Sequence, residues 1–263
     1  MSQRVGPSTT PLEDFRDHVC VVTGAARGVG AAIVRLMADR GAHVVFTYRS
    51  SAEAARSLEA SGRGRIAAYP LDVRDASQVQ AFFETVWNRW GRVDVLVNNA
   101  AFSTDRGWKR DITELEDTDF VEAFRVDVLG SWLCDKAVVP YMRRQGRGVI
   151  IHMASAAALA GDPDTLLYNP AKMALVGLTR SLARLLAPDI RVYAIAPGSV
   201  RTDWLERWGL SAEEVRQLER ETLLRRIVEP AEIARWVAFL ASPAAASVTG
   251  QTFFIDGGLW LGG

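Results

Sequence analysis

Short apolar runs alternate with longer amphipathic stretches along the whole chain, and that alternation restricts the fold more than any other feature. Apolar runs bounded by turn residues read as strands buried on both faces. Amphipathic stretches between them read as crossover helices, and the two together build a parallel sheet. The runs place strands at Val19 to Thr23, His43 to Tyr48, Ile66 to Leu71, Val93 to Asn98, Gly148 to Met153, Ile190 to Ile195 and Gln251 to Ile255. Helices are expected near Val29 to Arg40, Ala52 to Ala60, Ser77 to Trp90, Asp117 to Arg144, Leu166 to Ala187 and Pro230 to Ala241. Such a pattern predicts an α/β, doubly wound sheet of seven parallel strands with helices on both faces. Its core needs apolar material on both sides, and 263 residues with 49% hydrophobic content supply it. No repeat, low-complexity run or linker divides the chain, so residues 18–263 read as one domain. Residues 1–17, polar and proline-containing, read as a flexible leader. Residues 200–226 have helical periodicity but interrupt the alternation, and read as a lid over the site.

The first expected strand runs into Thr23-Gly24-Ala25-Ala26-Arg27-Gly28-Val29-Gly30 and then into a helix. Unpaired amides at a helix N-terminus suit an anion, so the turn reads as a backbone cradle for a dinucleotide pyrophosphate. Gly24 allows the turn, Gly28 the close approach to the phosphates, and Gly30 the packing of helix against sheet. A glycine-rich turn alone is often structural; the strand before this one and the helix after it favour the cradle. Further along stand Ser155, Tyr168 thirteen residues later, and Lys172 four residues beyond that. A free phenol has a pKa of ~10, about three units too high for easy proton exchange near neutrality, at roughly 1.4 kcal/mol per unit. A lysine ammonium one helical turn away lowers it, and positions i and i+4 share a helix face. An isolated Tyr-x-x-x-Lys is usually a surface pair. Ser155 and the glycine turn in the same chain favour a proton donor with its tuning cation.

These motifs, with Asn98-Asn99-Ala100-Ala101, Tyr168-Asn169-Pro170-Ala171-Lys172, Pro197-Gly198 and Asp256-Gly257-Gly258, resemble the short-chain dehydrogenase/reductase family in its smaller single-domain branch. The resemblance runs from about Val19 to Gly258 and implies a Rossmann-type fold. It implies that Tyr168 is the general acid/base, that Lys172 binds the nicotinamide ribose and lowers the tyrosine pKa, and that Ser155 hydrogen-bonds the substrate oxygen. The implied cofactor site comprises Gly24, Arg27, Gly28, Val29 and Gly30 in the turn, with Arg49 at the end of the second strand. Asp72 and Val73 match the adenine-binding pair. Asn98, Asn99 and Ala100 line the cofactor from the fourth strand, and Pro197 and Gly198 shape the nicotinamide pocket. Val200 and Thr202 follow, with Thr202 on the carboxamide. The opening and the Tyr48-Arg49-Ser50-Ser51 segment look most like 3-oxoacyl carrier-protein reductases and secondary-metabolite ketoreductases.

Two positions depart from the family pattern. Asp127 stands where an asparagine usually anchors a water beside the active-site lysine; aspartate accepts the same hydrogen bonds, donates none and brings a charge. It is counted among the catalytic residues. Ala101 stands where a glycine usually ends the Asn-Asn-Ala-Gly run. Trp204 and Trp208 share one face of the lid and either border an apolar substrate pocket or pin the lid. His152, at the end of a strand, reads as structural, and His18 and His43 have no partners at metal-ligand spacing, so no metal is expected. Trp260, apolar and near the chain end, suits an interface between subunits.

The sequence therefore reads as an oxidoreductase interconverting a ketone and a secondary alcohol. An NAD site places a carboxylate at the end of the second strand, whereas a 2′-phosphate needs a cation there. Thr47-Tyr48-Arg49 has no acid, and Arg27 adds a second cation, so NADP(H) is preferred with NAD(H) possible. Two readings compete: an imine or activated C=C reductase on the same fold, and a non-catalytic nucleotide-sensing protein. The 31 basic and 31 acidic residues cancel, which disfavours nucleic acid or an anionic membrane as partner. Cys20 and Cys134, far apart and without metal spacing, read as reduced thiols in a cytoplasmic protein. The substrate is small or carrier-bound, and Arg143, Arg144, Arg147 and Arg184 offer a basic dock for a carrier protein. By the resemblance, the chain forms a homo-oligomer, a dimer or tetramer, through the regions of Asp127, Leu175 and Trp260.

Overall fold

The computed structural model describes residues 14–103, 111–203, 205 and 210–260. Seven parallel strands form one sheet: β1 (Val19–Val22), β2 (His43–Tyr48), β3 (Ile66–Pro70), β4 (Val95–Asn98), β5 (Gly148–Met153), β6 (Ile190–Pro197) and β7 (Thr252–Ile255). Their spatial order is β3-β2-β1-β4-β5-β6-β7, so the chain reverses its direction of growth between β1 and β4. In such sheets the crevice at the carboxyl ends beside the reversal is where ligands bind.

Strand burial explains why the runs were continuous in sequence. Every residue of β1, β4 and β5 is buried, whereas the edge strands β3 and β7 are only partly so. Alternate side chains enter different cores. Cys20 and Val22 of β1 join the core with Ile33, Val34 and Met37 of α1 (Gly28–Asp39), Leu58 of α2 (Ala52–Ser61) and Val237 of a later helix, Pro230–Ala241. Val19 and Val21 join the opposite core with Phe82, Phe83 and Val86 of α3 (Ala76–Trp90) and with Val138, Met142 and Leu182. Both layers are thus filled by the two faces of the same strands.

The segment expected as one helix from Asp117 to Arg144 is α4 (Asp117–Ala123), a π turn (Phe124–Leu129) and α5 (Gly130–Arg144). α5 packs closely at its start: a Cβ on Gly130 would lie 2.6 Å from Val73 Cγ2. The expected helix from Leu166 begins later, as α7 (Asn169–Leu186), with Tyr168 at its N-cap. Pro170, in the first turn, suits that start because the missing amide would be unpaired there anyway. Three further helices are α6 (Ala156–Ala160), too short for periodicity to reveal, α8 (Ala212–Glu221) and α9 (Pro230–Ala241). Strands β2 and β5 have the expected ends, and each of the other five differs at one end by one or two residues.

Within the span read as a leader, Phe15 is buried in the first core and its amide donates to Arg40 O at 3.0 Å. Residues 1–13 lie outside the described residues. Within the span read as a lid, Val200 bridges to Val228 and α8 carries a capping box between Ser211 and Glu214; Trp204 and Trp208 lie outside the described residues. Among the described residues no helix is long and apolar enough to cross a membrane.

Candidate active site

Strand register sets the site. Val22 pairs with Val97, Asn98 with His152 and Met153 with Ile195, so the segments leaving β1, β4, β5 and β6 emerge side by side. Ser155 follows β5 in extended conformation, 8% exposed, at the N-cap of α6. Tyr168, half-buried at the head of α7, is brought against it, and the two side chains are hydrogen-bonded. Lys172 lies one turn on, its amide donating to Tyr168 O at 3.0 Å.

Lys172 is 2% exposed, and a buried ammonium requires acceptors. It donates to Met153 O at 2.8 Å, lies 3.7 Å from Asp127 Oδ2 and stands 5.1 Å from the centre of the Tyr168 ring. Asp127, fully buried in the π turn, accepts the Phe102 amide on Oδ1 at 2.8 Å, and its own carbonyl accepts from Ser131 Oγ at 2.6 Å. Burial raises the Asp127 pKa against the opposing pull of Lys172. Burial also raises that of Tyr168, with Asp127 adding to the rise, while the Lys172 ammonium and the Ser155 hydrogen bond lower it. Lysine acts in the expected direction, but in the protein by itself burial outweighs it. Sequence reasoning grouped the four side chains; it had no signal for Met153 O or the Phe102 amide, since backbone partners carry no residue signature.

The glycine turn lies across the sheet reversal from this group. Gly24 has φ +61, and a Cβ there would meet Ala100 Cα at 2.7 Å. Thr23 Oγ1 accepts the amides of Asn99 and Ala100 at 3.0 Å each, and Asn99 Nδ2 donates to Thr23 O at 3.0 Å and Gly24 O at 3.1 Å. Gly24 N donates to Thr47 Oγ1 at 3.2 Å, so Thr23 and Thr47, which sequence reasoning passed over, hold the turn. Gly28, at φ +56, opens α1, and a Cβ there would come no nearer than 3.5 Å to Thr202 Cγ2. Gly30 packs back on the turn itself: its Cβ would lie 2.6 Å from Ala25 Cα. The first turn of α1 holds no acidic residue. The cradle therefore suits an anionic dinucleotide.

The other expected contacts are distributed around it. Arg27 donates to Ser51 Oγ at 2.5 Å, past the end of β2, and approaches Asp203 at 3.8 Å; Arg49 is exposed and its charge bears on Asp72. The Asp72 carboxylate is engaged by Arg74, which also reaches Glu122 at 2.6 Å, and Val73 is buried beneath Gly130. Pro197 closes β6, and Gly198 packs so near Asp256 that a Cβ would lie 2.7 Å from its Cβ.

Comparison with known proteins covers nearly the whole chain. A family model described as enoyl-(acyl carrier protein) reductase matches residues 24–260. A 3-oxoacyl-[acyl-carrier-protein] reductase of Synechocystis sp. is 38% identical over 247 residues, covering 92% of this chain and 96% of the relative. A probable galactose dehydrogenase of Rhizobium meliloti is 36% identical over 257 residues, covering 96% and 98%. The crystal structure of a short-chain dehydrogenase/reductase of Brucella melitensis, named as a glucose/ribitol dehydrogenase, superposes with a TM-score of 0.86 at 30% identity, covering 94% of this chain and 98% of that one.

Proposed function

Because the chain belongs to the short-chain dehydrogenase/reductase family and is an oxidoreductase, we propose that it interconverts a ketone and a secondary alcohol with NADP(H), using Ser155, Tyr168 and Lys172. The observation that carries the reading is the hydrogen bond between Ser155 and Tyr168, with the Lys172 ammonium 5.1 Å from the phenol ring. Gly24, Gly28 and Gly30 of the turn would hold the nicotinamide cofactor, which when bound would supply or accept the hydride. Ser155 holds the substrate oxygen, and Tyr168 Oη gives that oxygen its proton as the carbonyl becomes an alcohol. The phenolate left behind faces Lys172, whose ammonium is oriented by Met153 O and balanced by Asp127. In the reverse direction the phenolate takes the alcohol proton. General acid catalysis by a positioned group contributes ~10²- to 10⁴-fold. Tyr168→Phe should therefore lower kcat by that factor on a slow ketone while cofactor affinity stays near native. Retention of more than about a tenth of kcat would refute the assignment.

Preference for NADP(H) is supported by the end of β2, which offers Arg49 and the Arg27–Ser51 contact and no carboxylate. A substrate carried on an acyl carrier protein is supported by the names of the relatives and by the exposed Arg143, Arg144, Arg147 and Arg184. Small carbonyl compounds remain the other class. We place the protein in the cytoplasm as a homo-oligomer, for which the exposed apolar residues on α4, the π turn and α5 are the structural support.

A further inference from the structure

Asp135 of α5 lies about two turns beyond Asp127 of the π turn, and about two turns along α7 from Lys172 lies Thr179. His152 of β5 joins them. Its Nε2 lies 2.9 Å from Asp135 Oδ2 and its Nδ1 2.8 Å from Thr179 Oγ1, while Asn98 Nδ2 of β4 donates to Asp135 Oδ1 at 2.7 Å. All four residues are buried, none more than 3% exposed.

Counting donors fixes the protons. The Thr179 hydroxyl donates to Leu175 O at 2.8 Å, so it accepts from His152, and Nδ1 carries a proton. The other bridge also needs one, on Nε2 or on Oδ2. The pair is therefore neutral as a whole and shares a proton across the Asp135–His152 contact, whichever atom holds it.

The arrangement repeats the active site one level down. Asp127 faces Lys172 across the gap between the α5 and α7 segments, and Asp135 faces Thr179 across the same gap with His152 between them. His152 also immediately precedes Met153, whose carbonyl orients Lys172. Buried polar pairs of this kind contribute less to net stability than apolar side chains of similar volume would, and their better-attested use is to specify a geometry. We propose that Asp135 and His152 are positioning residues for the reaction: a buried rung that sets the spacing of α5 and α7 and so holds Lys172 against Tyr168. This rests on the proposed role of Tyr168 and Lys172, and its test separates the two ideas.

A misplacement of about 1 Å at a reacting group costs on the order of 10²-fold in rate. Asp135→Ala and His152→Ala should each lower kcat by about 10- to 100-fold with KM for the ketone changed less than about threefold. Asp135→Asn should retain most of the rate, because its amide nitrogen can donate to Nε2 of the neutral His152 ring while its oxygen still accepts from Asn98 Nδ2. Should the alanine variants not fold, the double variant Asp135→Val with His152→Leu leaves no charge unpaired and serves in their place. The second readout is the ionisation of Tyr168, taken as the ultraviolet difference between each protein and its Tyr168→Phe counterpart. The groups acting on that phenol are Ser155, Lys172 and Asp127. Loosening Lys172 should move the midpoint to higher pH. Native kcat and a native midpoint in the folded double variant would overturn the proposal, since a merely structural pair alters only stability. The absorbance titration needs no substrate, so a protein that reduces no carbonyl would defeat the proposed activity while the spacing role is still judged by the midpoint.

Discussion

Asp127 sits where its charge favours the Lys172 ammonium and opposes the Tyr168 phenolate. Oxidation of an alcohol needs that phenolate, so Asp127→Asn should move the rising limb of kcat/KM against pH toward neutrality. Cofactor affinity should stay much the same. Coincident profiles for the two proteins would show that the carboxylate does not act on the phenol. The arginines give a second residue-level expectation. A hydrogen bond to a charged group is worth ~1.5–3 kcal/mol, so Arg27→Ala and Arg49→Ala should each cost roughly 10- to 100-fold in kcat/KM for NADPH and far less for NADH. Equal kcat/KM for the two cofactors in the parent, unchanged in Arg49→Ala, would count against the preference. Ser155, Tyr168 and Lys172 were legible because side-chain chemistry at fixed spacing survives in the sequence. The second layer was not: His152 read as an ordinary strand residue, and its partner Asp135 is one acid among the polar residues of a long helix.

At the scale of elements, Gly130 is where α5 meets the segment after β3. An added methyl would lie 2.6 Å from Val73 Cγ2, and overpacking of this kind costs about 1–3 kcal/mol. Gly130→Ala should therefore lower thermal stability, and because the π turn carrying Asp127 abuts Gly130, it should lower kcat as well. Val73→Ala in the same chain should restore part of both, as measured by calorimetry and steady-state rates. Absence of rescue would place the strain elsewhere. The strands were read correctly in type and order because burial on both faces makes them continuous apolar runs. The interruption of the central helix was not, because a single wider turn leaves the 3.6-residue pattern on either side intact, and π turns of this kind cluster at functional sites. The start of α7 was placed too early for a related reason: Leu166 and Leu167 continue the helical pattern, but the backbone winds only from Asn169, with Pro170 in the first turn.

For the whole molecule, the outer face of α4, the π turn and α5 exposes Phe120, Val121, Leu129 and Trp132, with Trp132 43% exposed. Trp236 and Phe239 form a second exposed pair on α9, with ring centres 5.7 Å apart. Apolar patches of this kind commonly mark contact surfaces. Light scattering at micromolar concentration should show a dimer or tetramer, and Trp132→Glu should shift it to a smaller species; a monomeric parent would refute the assembly. The hydrogen bonds that close the glycine turn have a consequence for biosynthesis. Thr23 leaves the ribosome early, yet the amides its hydroxyl accepts belong to Asn99 and Ala100, and Gly24 is backed by Ala100. A growing chain thus displays the glycines of the turn with only Thr47 to hold them until the residues after β4 are made. Nucleotide capture must await the fourth strand, and a fragment ending at Trp90 should bind no dinucleotide.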